Sequence, residues 1–293
     1  MGVAEEFTQF KDRYNIGTDL ISSISYRYKR ITGQLNYDFR SSSSDTANSL
    51  YVGSYGRDTA AKGLSDLDMA YVLPSNLYSQ YNSYTSNGQS ALLQAVKTSI
   101  RKTYPTSDSY GDGQVVVVNF TDGVTFEVLP VFNNPDGTWT YPNANGGGSW
   151  KTCNPRAEIE AIASRNLVTN RNLKHLCRMM RVWRDHNNAP MSGALIDALA
   201  YYFIGDWPHR DKSFLYHDWM ARDFLLYLAE RDTNQTYWRM PGSGSTVWSK
   251  GTFQHKARAD YNNAVEACGF TGDENGATRR AKWRYVFGPT FAT

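Results

Sequence analysis

Apolar positions recur every seven residues near the start of the chain, at Phe7, Tyr14, Ile21 and Tyr28, and again at Phe10, Gly17, Ile24 and Ile31. Both series fall on one face of a helical segment that runs to about Thr32, with Gly17 breaking it in two and Thr18 or Asp19 capping the second piece. A helix of roughly four turns suits a spine laid along a sheet. Residues 41–48, rich in Ser, read as a loop before a first strand at residues 50–53. Residues 75–90 read as another loop, leading to a helix over about residues 89–104 that carries Leu92, Leu93, Val96 and Ile100. The β-branched runs 115–120 and 124–131, joined by Thr121-Asp122-Gly123, predict a hairpin. In its second run Glu127 points opposite to Phe126 and Val128, hence outward if those two face a core.

The pattern changes at residues 133–149, where two prolines and Gly146-Gly147-Gly148 predict a linker or crossover. Beyond it, residues 156–165, 172–185, 192–203, 213–231 and 252–268 carry apolar residues at i, i+3 and i+4, the period of helices. The expected organisation is a mixed α/β part over residues 1–149 and a helical part over residues 150–293. With 41% hydrophobic and 14% aromatic residues, the chain has the material for a sizeable core.

A net charge of +3, from 31 basic and 28 acidic residues, speaks against coating of bulk nucleic acid, so any attraction to polyanions must be local. Cys153, Cys177 and Cys268 form no C-x-x-C pair and the five histidines no metal-binding spacing, which argues against disulfides and zinc and for a reducing cytoplasm. No apolar stretch is long enough to span a membrane, and the acidic N-terminus has no basic region followed by an apolar run, so neither membrane insertion nor secretion is expected.

Candidate chemistry is concentrated in Gly53-Ser54-Tyr55-Gly56-Arg57-Asp58-Thr59 and the following Ser65-Asp66-Leu67-Asp68. The acidic pair heads an apolar run, so Asp66 and Asp68, two residues apart on a strand, share a face. Two converging carboxylates suit a hard cation such as Mg2+. Gly53 and Ser54, at a turn after a strand, offer backbone N–H groups and a hydroxyl to a triphosphate without a bulky side chain. Glu127 is the candidate third acid; the alternative reading makes it an ordinary surface glutamate and the two aspartates strand-end caps. Arg57 is expected to brace the loop, Thr59 to cap a helix or turn, and Tyr201 and Tyr202 to pack in a core. The basic clusters Lys250, Lys256, Arg258 and Arg279, Arg280, Lys282, Arg284 are expected to be solvated faces.

The pattern G-S-Y-x-R-x-T-x5-S-D-x-D resembles the bacterial CD-NTases, the cyclic GMP-AMP synthase-like and DncV-like nucleotidyltransferases. So do the F-E-V-L-P strand, the R-M-M-R-V-W segment followed by Ser192-Gly193, and the terminal A-K-W-R-Y-V-F-G-P-x-F. Clade E is the most similar group. The resemblance implies an α+β fold with a DNA polymerase beta-like core and N-terminal helix over residues 1–149, a helical nucleotide-binding lobe over residues 150–293, and substrates in the cleft between them. It further implies a cytoplasmic bacterial enzyme that joins two nucleoside triphosphates, UTP and ATP among them, into a cyclic dinucleotide for anti-phage signalling. Asp66, Asp68 and Glu127 would bind two Mg2+ or Mn2+ ions, and Gly53, Ser54, Ser192 and either Arg178 or Arg181 would hold the triphosphate. Asn166 is a candidate reader of a base edge such as that of uracil. Across the wider nucleotidyltransferase superfamily Asp is more familiar where Glu127 stands, and family members often have Lys at the arginine position. A monomer that needs no nucleic acid, and a downstream receptor for the product, complete the expectation. The alternatives are a transferase acting on a protein, tRNA or small molecule, and a catalytically silent nucleotide-binding module.

Overall fold

In the computed structural model, which describes residues 2–291, the chain begins with α1 (Val3–Tyr14), α2 (Thr18–Arg40), β1 (Ser49–Tyr51), the single turn α3 (Gly53–Gly56) and β2 (Asp66–Val72). It continues with α4 (Ser75–Asn82), α5 (Gly88–Thr103), β3 (Asp108–Asp112), β4 (Val115–Asn119), β5 (Thr125–Asn133), β6 (Trp139–Asn143) and β7 (Ser149–Cys153). Then follow α6 (Pro155–Val168), α7 (Asn172–Asn187), α8 (Gly193–Asp206), α9 (His217–Ala229), the hairpin β8 (Tyr237–Arg239) and β9 (Thr246–Trp248), α10 (Gln254–Gly269) and α11 (Gly276–Phe287). Two compact units result. One comprises Gly17–Gly56 and Gly63–Arg156; the other comprises the residues up to Ile16, the segment Arg57–Lys62 and the residues from Ala157 onward.

This partition differs from a single boundary after residue 149, because the seven-residue stripe at the N-terminus serves two cores. Phe7, Phe10 and Tyr14 are buried with Trp183, Trp283, Phe287 and Phe291 in the helical unit, whereas Ile24, Tyr28 and Ile31 are buried against the sheet. Ile21, expected on the same stripe, is 43% exposed. Gly17 lies at the change of core, as the N-cap of α2.

The sheet has the order β1-β2-β5-β4-β3, with β6 attached to β5 and β7 to β6. β2 and β5 run parallel and the other pairs antiparallel. One face packs Leu67, Met69, Phe126 and Val128 against Ile31 and Leu35 of α2 and Leu92 and Val96 of α5. A smaller cluster of Val52, Ala70, Val72, Val131 and Trp139 covers part of the opposite face. Burial on both faces produces the nearly continuous apolar run from Leu67 to Leu73, as expected for parallel neighbours.

The hairpin read from the valine runs is present as β4 and β5, with Val116 opposite Val128 and Val117 opposite Glu127. Two segments read as loop are ordered. α4 starts directly after Pro74, and its Tyr78 packs edge-on against Phe132 while Tyr81 is buried. Residues 133–149 contain β6 and lead into β7; the left-handed Gly146, Gly147 and Gly148 turn the chain between the two strands. The helical unit also contains α11, where Arg279 was expected on a solvated face.

Arg279 is instead buried. Its Nε and Nη2 donate to the two carboxylate oxygens of Glu6, each at 2.9 Å, and its Nη1 donates to the carbonyls of Phe270 and Gly272. Glu6 and Arg279 are 0% and 1% exposed. Among the described residues no helix is long and apolar enough to cross a membrane. The buried pair predicts an asymmetry measurable by denaturant unfolding. Glu6→Ala strands the Arg279 charge and lowers stability by about 3 to 5 kcal/mol, whereas the double change Glu6→Leu/Arg279→Met restores most of that loss.

Candidate active site

The parallel register of β2 and β5 places Asp68 directly opposite Glu127 and Asp66 opposite Thr125. Leu67 and Met69 on β2, and Phe126 and Val128 on β5, point into the core shared with α2 and α5. Strand alternation therefore turns Asp66, Asp68 and Glu127 together to the other face. Asp66 is exposed, and Asp68 and Glu127 are half-buried. Glu127 is held above the usual carboxylate range, first by burial and then by the negative charges of Asp68, Asp66 and Asp112. This is a concentration of like charge with hard oxygen donors.

Gly53 completes the arrangement from the neighbouring turn. Val52 N donates to the Asp68 carbonyl at 3.0 Å, which docks the start of the turn on β2. Gly53 then takes φ 59°, and a Cβ placed there would lie 1.8 Å from Asp68 Oδ2. Only glycine permits both the left-handed backbone and this approach. The residues fit a divalent ion such as Mg2+ by the chemistry of their donors and by the charge on Glu127, which a cation would relieve. As placed, no three His, Cys, Asp or Glu side chains among the described residues form a closed metal-ligand set.

In the helical unit the charged residues are arranged around Asp197, which sequence reading had missed. Arg181 Nη1 donates to Asp197 Oδ1 at 2.7 Å and its Nη2 to Oδ2 at 3.0 Å. Arg57 Nε and Thr59 Oγ1 donate to the same Oδ2 at 3.0 and 2.8 Å. Arg57 Nη1 continues to Glu158 Oε2 at 3.0 Å. Burial raises the Asp197 pKa, but Arg181 and Arg57 outweigh it and bring the carboxyl down to about 2. Arg57 is thus a brace, as expected, and Thr59 is a hydrogen-bond donor to a buried carboxylate. The available signal for Asp197 was a single charge inside the apolar run Leu195-Ile196-Asp197-Ala198-Leu199.

The remaining candidates have definite partners. Arg181 is 5% exposed, and Asp197, Thr59 and the Gly193 carbonyl take up its guanidinium. Arg178 donates to Ala60 O and Asp58 O and pairs with the Asp58 carboxylate. Lys174 Nζ pairs with the same carboxylate at 3.0 Å. Ser192 caps α8, its Oγ accepting from Leu195 N at 3.1 Å. Asn166 is 9% exposed, and its Oδ1 accepts from Lys174 N at 3.0 Å. Tyr201 packs under Arg165, whose guanidinium carbon lies 4.5 Å from the ring centroid.

The model of the Second Messenger Oligonucleotide or Dinucleotide Synthetase domain family matches residues 1–166. The fold is similar to that of CdnC from Escherichia coli MS115-1, solved with ATP, with TM-score 0.70, 15% identity, and coverage of 99% of this chain and 98% of that one. The CD-NTase CdnG of Bradyrhizobium diazoefficiens, solved with GTP, gives TM-score 0.70 at 12% identity over 97% of this chain and 94% of that one. The CdnE c-UMP-AMP synthase of Rhodothermus marinus, solved with Apcpp and Upnpp, gives TM-score 0.61 at 14% identity over 92% of this chain and 98% of that one. No match is found among curated protein sequences. The α+β fold with a DNA polymerase beta-like core is the one the sequence led us to expect.

Two outcomes follow from this geometry. Gly53→Ala places a methyl group inside van der Waals contact with Asp68 at a positive φ, and should lower the melting temperature and displace the Asp68 carboxylate, visible as a changed divalent-ion affinity by calorimetry. Asp197→Asn leaves two buried guanidinium groups under-compensated and should cost about 3 to 5 kcal/mol in chemical denaturation. The Asp197 carboxyl titrates near 2 when folded, below its ordinary 3.8. Its contribution is therefore fully present above about pH 4 and lost as pH falls towards 2, and the Asp197→Asn protein should lack that part of the acid transition.

Proposed function

The chain belongs to the second messenger oligonucleotide or dinucleotide synthetase family, and from that premise we propose that it joins two nucleoside triphosphates into a cyclic dinucleotide, releasing one pyrophosphate for each phosphodiester formed. The observation that carries this reading is the register of Asp68 against Glu127, with Asp66 on the same face and Gly53 closed onto Asp68. Asp66, Asp68 and Glu127 would hold two Mg2+ or Mn2+ ions, which when bound supply positive charge to an attacking ribose hydroxyl and to the departing pyrophosphate. Glu127 stands where a shorter aspartate is more familiar, and burial and the neighbouring carboxylates raise its pKa, a shift that a bound cation would oppose. Gly53 leaves the backbone of the turn open to phosphate oxygens, and the Ser54 hydroxyl adds a donor.

Between the two arginine candidates, Arg178 is our assignment for a triphosphate contact, with Lys174 beside it. Arg181 is taken up by Asp197, Thr59 and Gly193, so its guanidinium acts as a structural counter-charge. Ser192 keeps α8 capped and lies next to Gly193, whose carbonyl Arg181 binds. Asn166 uses its amide oxygen on Lys174 N, which leaves its NH2 as the group offered to a base. A donor suits a carbonyl oxygen such as those of uracil, so a product containing uridine, as in clade E, is the finer form of this reading. Its setting would be anti-phage signalling in a bacterial cytoplasm, with a receptor for the cyclic product.

The test is incubation of the purified protein with Mg2+ or Mn2+ and four nucleoside triphosphates, each in turn labelled at its α-phosphorus, followed by phosphatase and separation of products. A phosphatase-resistant product bearing uridine label is expected. Loss of outer-shell metal partners typically costs 10- to 100-fold, so Asp68→Asn, which removes a ligand itself, should lower product by more than about a hundredfold. Product that forms only with an added protein, tRNA or small-molecule acceptor would replace the cyclase by a different transferase. Nucleotide binding without pyrophosphate release under either metal would leave a silent binding module.

A further inference from the structure

Asp58 lies in the segment Arg57–Lys62, which belongs to the helical unit, and its backbone is left-handed with φ 55°. Non-glycine residues enter this region rarely, Asn and Asp most readily. The Asp58 carboxylate spans two cations one turn apart on α7, pairing through Oδ2 with Lys174 Nζ at 3.0 Å and through Oδ1 with Arg178 Nη2. The three side chains are unequally exposed, Asp58 at 62% against 19% for Lys174 and 16% for Arg178. The cations are embedded and the anion faces water.

Arg178 is also fixed by contacts that do not involve the carboxylate. Its Nε donates to Ala60 O at 3.1 Å and its Nη2 to Asp58 O at 2.9 Å. Removing the Asp58 charge therefore leaves the guanidinium aimed where it is. A carboxylate bridging an arginine and a lysine takes the same donors that two oxygens of a phosphate would take. Being tethered, it competes at the millimolar or higher effective concentration typical of short connections.

Resting on the assignment of Arg178 and Lys174 to phosphate binding, we propose that Asp58 sets the specificity of that site by acting as a built-in competitor for its donors. A polyphosphate, with several charges to engage the cations, displaces the carboxylate. A single phosphate group does not. Asp58 thereby makes the site select for a triphosphate over free phosphate, at a cost in absolute affinity.

The experiment is calorimetric binding of tripolyphosphate and of orthophosphate to the intact protein without divalent ions, at fixed low ionic strength. Wild type is compared with Asp58→Asn, Asp58→Gly and Arg178→Ala. Asn and Gly both tolerate the left-handed backbone, so each removes the charge without imposing strain. Tripolyphosphate is expected to bind about five- to tenfold more tightly to both Asp58 variants, as removal of two partly exposed ion pairs implies. Orthophosphate should gain by a larger factor, so that selectivity between the two falls; an equal gain for both would overturn the role in selectivity. Unchanged or weaker binding in both Asp58 variants, with Arg178→Ala still weakening tripolyphosphate, would overturn the competitor role and make Asp58 an organiser of the cations. Unchanged tripolyphosphate binding in Arg178→Ala would instead overturn the phosphate assignment beneath it. A loss of selectivity is the reading that a merely structural ion pair would not produce.

Discussion

A carboxylate with no access to water is tolerated only when its charge is met by geometry, and in the helical unit Asp197 imposes that condition on everything near it. Two arginines and a threonine from two different segments converge on its two oxygens. The loop Arg57–Lys62 is held by Arg57 and Thr59, α7 by Arg181, and α6 by Glu158 through Arg57. Once the loop is fixed, the carbonyls of Asp58 and Ala60 have fixed positions too, and these orient Arg178. The placement of the Arg178 guanidinium is thus inherited from a buried anion.

The two sets of acids illustrate opposite uses of the same functional group. Asp197 is surrounded by positive charge and is pushed to the acidic side of the ordinary range, which is how a carboxylate behaves when its role is structural. Glu127 is pushed the other way, first by burial and then by the charges of Asp68, Asp66 and Asp112. A fold gains nothing in stability from assembling like charges on one face of a sheet. Their accumulation there is evidence that something positively charged belongs among them.

Much of the sheet side was legible because its signals are local. The spacing of Asp66 and Asp68, the valine hairpin and the apolar face of α5 each depend on residues a few positions apart, and strand alternation alone put Glu127 on the outward face. Identifying Asp68 as its neighbour required the parallel register of β2 and β5, which no local pattern reveals. The same limit explains Arg181 and Arg279. Both sit in helices rich in other charges, and sequence shows that a guanidinium is present without showing which carboxylate it will meet. The seven-residue stripe had a similar fate: periodicity reports which side of a helix is apolar, but Phe7 and Tyr28 found different cores. α4 and β6 were obscured by their composition, since Ser, Asn and Gly mark loops on average and are overruled where tyrosine and tryptophan have a core to enter.

The pairing of Glu6 with Arg279 has a consequence for the order in which the protein is made. The two residues are separated by 273 positions, so at synthesis rates of 5 to 20 residues per second Arg279 follows Glu6 by roughly 15 to 55 seconds. During that interval α1 carries a carboxylate and two aromatic rings, those of Phe7 and Phe10, whose partners on α11 and beyond do not yet exist. The sheet unit, which needs nothing after Arg156, can finish first. The nascent chain therefore has to keep the Glu6 carboxylate of α1 without its guanidinium partner until α11 emerges, which makes α1 a segment that a chaperone could hold.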